Sequence, residues 1–414
     1  MSLVVLTNIP TPYRTAFFDA LAEAAACAGK RFHVLYCAKT EPGRHWPYEP
    51  AKMKHAHTVL RGFHPSLTGI HAHLNPGVLA ELNLLKPDAL VIAGSWNTPT
   101  MLVAGLNIYS PAPRRFFWSE GHADAALHKS GLIAWLRRRV YRTFDGFAVP
   151  NAKSAEWAIA QAGSPRPVVT LPNAIDAAFF KRPAGDARSQ ARARLGIPAE
   201  GRVLVQVSAL TERKGVLPLA KAFLALSAVE SSGARLLFVG DGEQRSELQH
   251  LAGSSAGTIR VLGQLPPEEV RQVLWASDAF VLNTRLDPNP LSAIEATAAG
   301  LPVVMSAVAG NCHEIVEAPN AGFIIRDPAD PREALRAVLS ASDEELAAMG
   351  ARAATNAQRF DAMSVARSLI KQLYPSTSPR CSHYSNVSSI DAGPPNIGYR
   401  IRVVWPTFAP PAFS

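Results

Sequence analysis

The chain alternates between short runs of β-branched and aromatic residues and longer stretches in which apolar positions follow helical spacing. In the first half the apolar runs predict strands at 3–6, 32–36, 89–92, 116–118, 147–149 and 168–171. In the second half they predict strands at 203–207, 236–239, 259–262, 279–282, 303–305 and 323–325. Strands that alternate with helices are typical of parallel sheets covered on both faces. The sequence therefore predicts an α/β protein with two doubly wound domains.

Length and composition also favour two globular domains. A chain of 414 residues is longer than one core usually organises, and 48% apolar against 18% charged residues is a globular balance. Residues 181–201 are rich in Arg, Ala and Pro and have no strand pattern, which predicts a linker between domains at 1–180 and 202–360. We expect a last helix at 361–374 and a disordered tail at 375–414.

Cysteine usage and the absence of long apolar runs favour a cytoplasmic protein. The four cysteines form no close pair, which is typical of a reducing compartment. The first ten residues lack the basic start of a secretory leader, and no apolar run approaches the length of a membrane-spanning helix. We therefore expect a soluble protein of the cytoplasm.

The net charge of +9 is concentrated in the first half, where residues 1–180 hold 18 Lys and Arg against 11 Asp and Glu. Nucleic acid, anionic lipid headgroups and phosphorylated substrates would all be attracted to such a surface. Arg137, Arg138, Arg139 and Arg142 follow Trp135 and Leu136, a pattern typical of an amphipathic helix at a membrane surface. A solvated helix face remains the alternative interpretation.

Two predicted strand ends carry residues suited to an anion. Arg213 and Lys214 lie between the strand at 203–207 and a helical run, beside a glycine, where helix amides and the helix dipole attract oxyanions. Gly240 and Gly242 follow the next strand and would allow a ligand to approach the backbone, or would simply form a tight turn. The GxGxxG fingerprint follows none of the predicted strands, which disfavours a dinucleotide-dependent dehydrogenase.

The segment 284–296 is the most informative part of the chain. Asn289 is predicted to cap a helix whose first residue is Pro290. The amides of Leu291 and Ser292 would then point out of the helix without partners. Such a helix start is a cradle for phosphate.

Two carboxylates are predicted to flank this cradle. Glu295 would lie about 9 Å along the helix from its cap, and Asp287 would stay in the loop at the mouth. A carboxylate near a phosphate is unfavourable unless hydroxyl groups donate hydrogen bonds to it, as those of a sugar or a ribose do. A well-capped helix with a solvated glutamate is the alternative interpretation.

Taken together, these motifs resemble a known family. Residues 203–325 are similar to the C-terminal domain of family 4 retaining glycosyltransferases (glycosyltransferase group 1), which have the GT-B fold of two facing Rossmann-like domains with a cleft between them. The features that recur in order are the Lys214-Gly215 turn, Val239-Gly240-Asp241-Gly242, Leu262-Gly263-Gln264-Leu265, the acidic-x7-Glu element of Asp287 and Glu295, and Gly300-Leu301-Pro302-Val303-Val304. Residues 8–14 resemble the family's N-terminal loop and 171–176 its Asn-x-x-Asp signature, so the similarity spans about 3–374.

The resemblance implies a role for each matching residue. Lys214 would bind the donor diphosphate and stabilise its departure, Asp287 would hold the transferred sugar, and Glu295 would bind the ribose hydroxyls. The donor is implied to be a UDP-sugar or GDP-sugar, with no further cofactor and no metal, because cations and helix-end amides stabilise the leaving diphosphate. The remaining implied donor contacts are Arg213, Gly240, Gly242, Gly263, Leu265, Asn289, Leu291 and Ser292.

The chain departs from the family pattern at two positions. Many members have Arg where this chain has Ala209, so one diphosphate cation is missing, and Arg213 is the candidate substitute. The family usually has Glu where this chain has Asp287, which is shorter by one methylene. That difference implies a changed reach and a changed choice of donor.

The acceptor side is expected in the N-terminal half. Glu120 and His122 follow the predicted strand at 116–118, and related enzymes often place a histidine near the sugar, so both are candidate catalytic residues. Pro12 and Arg14, in the N-terminal loop, are expected on the acceptor side together with His122. A loop carboxylate and a surface histidine are the alternative interpretation.

Five histidines crowd one predicted loop region. A zinc site is disfavoured because no cysteine or closely spaced carboxylate completes a tetrahedral set. We expect these side chains to line a mobile acceptor loop instead. They are His55, His57, His64, His71 and His73.

We therefore predict retaining transfer of a hexose-type residue from a nucleoside diphosphate sugar to the hydroxyl of a growing glycan or lipid-linked acceptor. Surface polysaccharide, lipopolysaccharide or glycolipid synthesis at the cytoplasmic face of the membrane would fit, and no nucleic acid is expected as a partner. Alternative functions of the same fold are a nucleotide-sugar epimerase, a hydrolase or a phosphorylase. A further alternative is a non-catalytic protein that binds sugar nucleotides or nucleic acid.

Overall fold

The computed structural model describes residues 1–42, 48–67, 70–106, 113–126, 128–226 and 233–375. Beyond its first residue, the predicted tail at 375–414 lies outside the described residues. Within the described part of the chain, no helix is both long and apolar enough to span a membrane.

The first half is built on a parallel sheet of seven strands in the order β3-β2-β1-β6-β7-β8-β9, with a separate antiparallel pair, β4 and β5. Its strands are β1 (Ser2–Thr7), β2 (Arg31–Tyr36), β3 (His57–Val59), β4 (Ser66–Leu67), β5 (Ile70–His71), β6 (Ala89–Ala93), β7 (Arg114–Trp118), β8 (Gly146–Val149) and β9 (Val168–Thr170). Its helices are α1 (Pro12–Cys27), α2 (Val78–Leu85), α3 (Pro99–Gly105), α4 (Gly131–Tyr141) and α5 (Ala152–Ala162).

Two helices follow before the second sheet: α6 (Ala177–Phe180) and α7 (Ala187–Arg194). The second sheet is parallel and has the order β12-β11-β10-β13-β14-β15. Its strands are β10 (Val203–Val207), β11 (Arg235–Val239), β12 (Ile259–Gly263), β13 (Ala279–Leu282), β14 (Val303–Ser306) and β15 (Gly322–Ile325). The remaining helices are α8 (Val216–Leu224), α9 (Arg245–Gly253), α10 (Pro267–Ala276), α11 (Leu291–Ala298), α12 (Arg332–Ser340), α13 (Asp343–Ala357) and α14 (Ala362–Leu373).

The predicted fold class is confirmed, and all twelve predicted strands are present. Their apolar runs are continuous because helices cover both faces of each sheet, so neighbouring residues of a strand are buried on opposite sides. β1 and β6 are buried at every position. Three short strands were not predicted from the sequence: β3, β4 and β5. Of these, β3 lies at the sheet edge beside β2 and is only half-buried.

The last helix of the described residues, α14, brings the chain back to the first half. The backbone amide of Ile175 donates to the carbonyl of Phe360, and the amide of Ala362 donates to the carbonyl of Ile175 (both 2.9 Å). From there α14 packs on α1 and reaches β9, where the Gln372 side chain and the Thr170 backbone exchange hydrogen bonds of 2.8 and 3.1 Å. The segment predicted as a linker, 181–201, lies between the two sheets in sequence and contains α7, which packs on α10.

Candidate donor and acceptor sites

The motif residues of the second half converge at the carboxyl edge of its sheet. The chain leaves β12 at the sheet edge and returns to the other side of β10 as β13, so the strand order reverses between β10 and β13. Ligands of doubly wound sheets bind at such a switch point. The loops after β10 and β13 carry Lys214 and Asp287.

Lys214 ends a turn of 3-10 helix, Glu212–Lys214, that directly follows β10. The next residue, Gly215, has φ +62°, and a Cβ there would collide with the carbonyl of Asn283, so a glycine is required to start α8 at this place. The Gln206 side chain donates to the Lys214 carbonyl (2.9 Å), and the Asn283 side chain donates to that of Gly215 (3.1 Å). These contacts fix Lys214 beside the end of β13.

The Lys214 ammonium forms an ion pair with the Asp287 carboxylate. Both side chains are nearly buried, with 12% and 11% of their surfaces exposed. The Asp287 carbonyl accepts a hydrogen bond from the Gly310 amide (2.8 Å), which anchors the loop to the segment after β14. The cation predicted for the diphosphate and the carboxylate predicted for the sugar therefore contact each other directly.

The predicted start of α11 is wrong by one residue. Pro290 is the N-cap and Leu291 is the first helical residue, because the Asn289 side chain is used elsewhere. Its oxygen accepts a hydrogen bond from the Asn311 side chain (3.0 Å), across 22 positions of sequence. Leu291 and Ser292 remain in the first helical turn, where amides have no carbonyl partner within the helix.

Glu295 is the fifth residue of α11 and points into a place that disfavours charge. Burial raises its pKa from 4.5 to about 7, and among the described residues no charge or hydrogen bond offsets that effect. A raised pKa of this kind is typical of functional sites, because the protein shields the group without satisfying it.

The predicted nucleotide contacts lie along the same edge. Gly240 follows β11 with φ +137°, and a Cβ there would collide with the carbonyl of Ser208. Its amide donates to the carbonyl of Gly263, the last residue of β12 (2.8 Å). Gly242 follows in the same turn, and Leu265, after β12, is half-buried against the core.

Arg213, the candidate substitute for the missing cation, is exposed and faces the loop after β13. Its guanidinium donates to the carbonyl of Leu286 (2.8 Å), directly before Asp287. The backbone carbonyl of Arg213 accepts hydrogen bonds from the Thr284 hydroxyl (3.0 Å) and the Arg285 amide (2.8 Å). Arg213 therefore ties the two loops of the site together.

A cavity of about 270 Å3 lies at the switch point of the first half, between β1 and β6. Of the residues predicted on the acceptor side of the site, Arg14 and Glu120 line this cavity, whereas Pro12 and His122 do not. Arg14 donates to the Thr7 hydroxyl (2.9 Å), stacks over the Trp118 ring at 4.7 Å and lies 3.5 Å from a Glu120 carboxylate oxygen. Pro12 is the first residue of α1. The cavity is therefore polar and carries both signs of charge.

His122 interacts electrostatically with charged residues of both halves. It is buried, and neither ring nitrogen has a hydrogen-bond partner among the described residues. Burial lowers its pKa, the Asp124 carboxylate 3.7 Å away opposes that effect, Lys153 lowers the pKa further and Asp287 raises it. His122 is therefore a neutral imidazole that lies close enough to the loop after β13 to interact with the charge of Asp287.

Two of the five histidines that were expected to line a mobile acceptor loop are buried instead. His55 is buried, and its ring bonds the Asp19 carboxylate (2.6 Å) and the Tyr36 hydroxyl (2.9 Å). His73 is buried too and contacts Glu41 at 2.9 Å, which itself lines the acceptor cavity. These two side chains support the fold and do not line a loop. In the part of the chain that the structure describes, no cluster of three metal-binding side chains occurs.

The contacts that join the two halves at this site were not predicted from the sequence. The Asn151 side chain donates to the carbonyl of Pro288 (3.0 Å), and the Lys153 ammonium donates to the carbonyl of Ala307 (2.7 Å). A Cβ at Gly310 would collide with the carbonyl of Pro288. The Ala309-Gly310 pair after a predicted strand was an available turn signal, whereas Asn151 and Lys153 gave none.

Residues 187–360 match the model of the family described as "Glycosyl transferases group 1". This segment, less than half of the chain, is therefore similar to glycosyltransferase group 1 domains. The chain is 35% identical over 125 residues to a putative teichuronic acid biosynthesis glycosyltransferase, TuaC, of Bacillus subtilis, a segment that covers 30% of each chain. It is 31% identical over 162 residues to a GDP-mannose-dependent monoacylated phosphatidylinositol monomannoside mannosyltransferase of Corynebacterium glutamicum, covering 37% of this chain and 42% of the relative.

The structural comparison covers more of the chain. HepE from Anabaena, solved in complex with UDP, has a TM-score of 0.68 and 18% identity, covering 90% of this chain and 99% of that one. This likeness confirms the GT-B fold. The chain spans less than half the length of the curated relatives named above.

Proposed function

We propose that this protein is a retaining glycosyltransferase that moves a sugar from a UDP-sugar or GDP-sugar to a hydroxyl of a glycan or lipid-linked acceptor. The observation that carries the proposal is the nearly buried Lys214–Asp287 ion pair at the switch point, beside the first turn of α11. A cation and helix amides suit a diphosphate, whereas carboxylates suit hydroxyl groups. A nucleoside diphosphate sugar carries both kinds of group.

Lys214 would exchange partners when the donor binds. Without a donor, Asp287 neutralises its charge. A diphosphate would take over the ammonium, and Asp287 would become free to accept hydrogen bonds from the sugar. As the bond between the anomeric carbon and the diphosphate breaks, negative charge grows on the diphosphate, where Lys214 and the amides of Leu291 and Ser292 would stabilise it without a metal.

The first half would complete the site from the opposite side. A neutral His122 offers one donor and one acceptor nitrogen, which suits sugar hydroxyls. Neither nitrogen has a hydrogen-bond partner among the described residues. The polar cavity with Arg14 and Glu120 would receive the acceptor. The reaction would then occur where the contacts of Asn151 and Lys153 join the halves.

The relatives support two donors and two kinds of acceptor. HepE was solved with UDP, and the corynebacterial relative uses GDP-mannose and a glycolipid. The Bacillus relative is a putative glycosyltransferase of teichuronic acid biosynthesis. We therefore place the protein in surface polysaccharide or glycolipid synthesis, in the cytoplasm or at the cytoplasmic face of the membrane.

Thermal unfolding in the presence of UDP, GDP and their sugar conjugates tests the proposal, because a ligand that binds the folded state raises the melting temperature. We expect one nucleotide series to stabilise the wild type and Lys221→Ala, an exposed lysine of α8. Lys214→Ala should lose most of that response and at least about a hundredfold in turnover. A folded Lys214→Ala variant with wild-type binding and turnover would contradict the assignment.

A further inference from the structure

Helix α4 exposes a row of large apolar side chains that nothing in the described chain covers. Leu132, Ile133, Trp135 and Leu136 are 70%, 41%, 55% and 42% exposed. Leu132, Trp135, Leu136 and Arg139 have the spacing i, i+3, i+4 and i+7, so they share one face of the helix. We name Leu132, Ile133, Trp135, Leu136, Arg138 and Arg139 the α4 face.

The charged residues of α4 and its flanking sequence have a single sign. Residues 125–144 contain no Asp or Glu, while Lys129, Arg138, Arg139 and Arg142 are exposed. Arg137 is not part of the face, contrary to the sequence prediction. It is buried, donates to the Gln161 side chain (3.0 Å) and stacks over Trp157 at 4.9 Å, and therefore fastens α4 to α5.

The apolar surface continues from α4 towards α3. A groove of about 390 Å3 lies between these helices, and its lining combines Leu102, Leu106 and Phe144 with Arg139 and Arg142. Leu106 is 57% exposed. Apolar side chains and guanidinium groups thus occur side by side, as the two parts of an anionic lipid would require.

We propose that the α4 face docks onto an anionic lipid bilayer. Aliphatic side chains beside a tryptophan suit the boundary between acyl chains and headgroups, and exposed Lys and Arg attract anionic headgroups. A second copy of the chain fits less well. A two-fold contact through this face would oppose the same cations on both sides.

The position of the α4 face also indicates which kind of acceptor the protein uses. This conclusion rests on the proposed function. The loop after β7 carries Glu120 and His122, and α4 begins at Gly131 on the same connection. Docking of α4 would hold this loop close to the bilayer surface. The acceptor that reaches the cavity with Arg14 and Glu120 is therefore one attached to a membrane lipid.

The test is flotation of the full-length protein with vesicles of phosphatidylcholine alone and vesicles that also contain phosphatidylglycerol. We expect binding to the anionic vesicles, weakened by salt. Arg138→Gln/Arg139→Gln should bind about 25-fold more weakly, at about fivefold for each cation removed. Leu132→Ser/Trp135→Ser/Leu136→Ser should bind at least tenfold more weakly.

Control variants carry the same kinds of substitution at exposed positions elsewhere in the protein. Leu84→Ser replaces a leucine of α2 that is 76% exposed, and Arg326→Gln/Arg332→Gln removes two exposed cations of the second half. Both should bind vesicles like the wild type. Equal binding by all variants, no binding to anionic vesicles, or a wild-type dimer that the triple serine change dissociates would each overturn the docking proposal.

The same variants separate this proposal from the proposed function. All should keep the rise in melting temperature with UDP or GDP, because the α4 face does not include the donor site. Vesicle binding without any nucleotide response would defeat the donor assignment and leave docking intact. A nucleotide response without vesicle binding would defeat docking and leave the donor assignment intact.

Discussion

Replacement of Glu295 by Gln is expected to stabilise the donor-free protein while it weakens donor binding. Burial raises the pKa of the Glu295 carboxyl from 4.5 to about 7. At pH 8 the wild type must therefore keep a charge where the surrounding protein disfavours it. Glutamine has nearly the same shape and no charge, so the variant avoids this cost.

The magnitude follows from linkage between protonation and folding. The folded state binds the Glu295 proton more tightly than the unfolded state, so stability falls as pH rises from about 4.5 to about 7 and is then constant. A shift of this size costs about 3 kcal/mol at most, and solvent that reaches the half-buried carboxyl lowers the figure. Between pH 5 and pH 8 the variant should therefore gain at most about 2.5 kcal/mol relative to the wild type.

Urea unfolding of both proteins at pH 5 and pH 8 measures this difference directly, because all other titrating groups cancel between them. Glu156→Gln is the matched control, since Glu156 is the fifth residue of α5 as Glu295 is of α11, but is exposed. We expect the control to show the same free-energy difference at both pH values.

Whereas the stability of Glu295→Gln should rise, its affinity for the donor should fall. A carboxylate that accepts hydroxyl hydrogen bonds contributes about 1.5–3 kcal/mol for each such bond, so Glu295→Gln should bind the nucleotide about ten- to a hundredfold more weakly. The reasoning is refuted if the stability difference between Glu295→Gln and the wild type is the same at pH 5 and pH 8. It is refuted equally if the stabilised variant binds the nucleotide as the wild type does.

Two further substitutions test the geometry around Lys214. Asp287→Asn leaves the nearly buried ammonium without its counter-charge and should destabilise the donor-free protein by about 3 kcal/mol. UDP or GDP should then raise its melting temperature more than that of the wild type, and an unchanged melting temperature without nucleotide would contradict the pairing. Gly215→Ala should cost at least about 2 kcal/mol in urea unfolding, because its Cβ meets the Asn283 carbonyl at φ +62°. Gly185→Ala, at φ +86° in open space, should cost about 1 kcal/mol, and equal costs would show that the close approach is not the cause.

The fold could be predicted because its information is local. Buried parallel strands require continuous apolar runs, and twelve of them were recognised. The edge strand β3, His57–Val59, is held by hydrogen bonds to β2 and has no apolar run of its own. Helix α7 lies in residues 181–201, which were predicted to be a linker because their sequence is rich in Arg and Ala.

The residues of the candidate site could be predicted where a short motif directly after one strand contains them. Lys214 and Glu295 were singled out from turn and helix signals of a few residues. The start of α11 was misplaced because the Asn289 side chain is occupied by Asn311, a contact that local sequence does not reveal. Arg137 was assigned to an exposed face although it is buried, since its partners Gln161 and Trp157 lie on another helix.

The negative charges of the two acidic residues of the site are neutralised in different ways, and this difference links the predictions. Asp287 is neutralised by Lys214, whereas Glu295 has no partner among the described residues and is neutralised by a proton at pH values below about 7. A donor would replace Asp287 at Lys214 with its diphosphate and would replace the proton of Glu295 with hydroxyl groups. Binding near neutral pH should therefore release a proton, and the free energy that folding gives up at Glu295 is recovered when the donor binds.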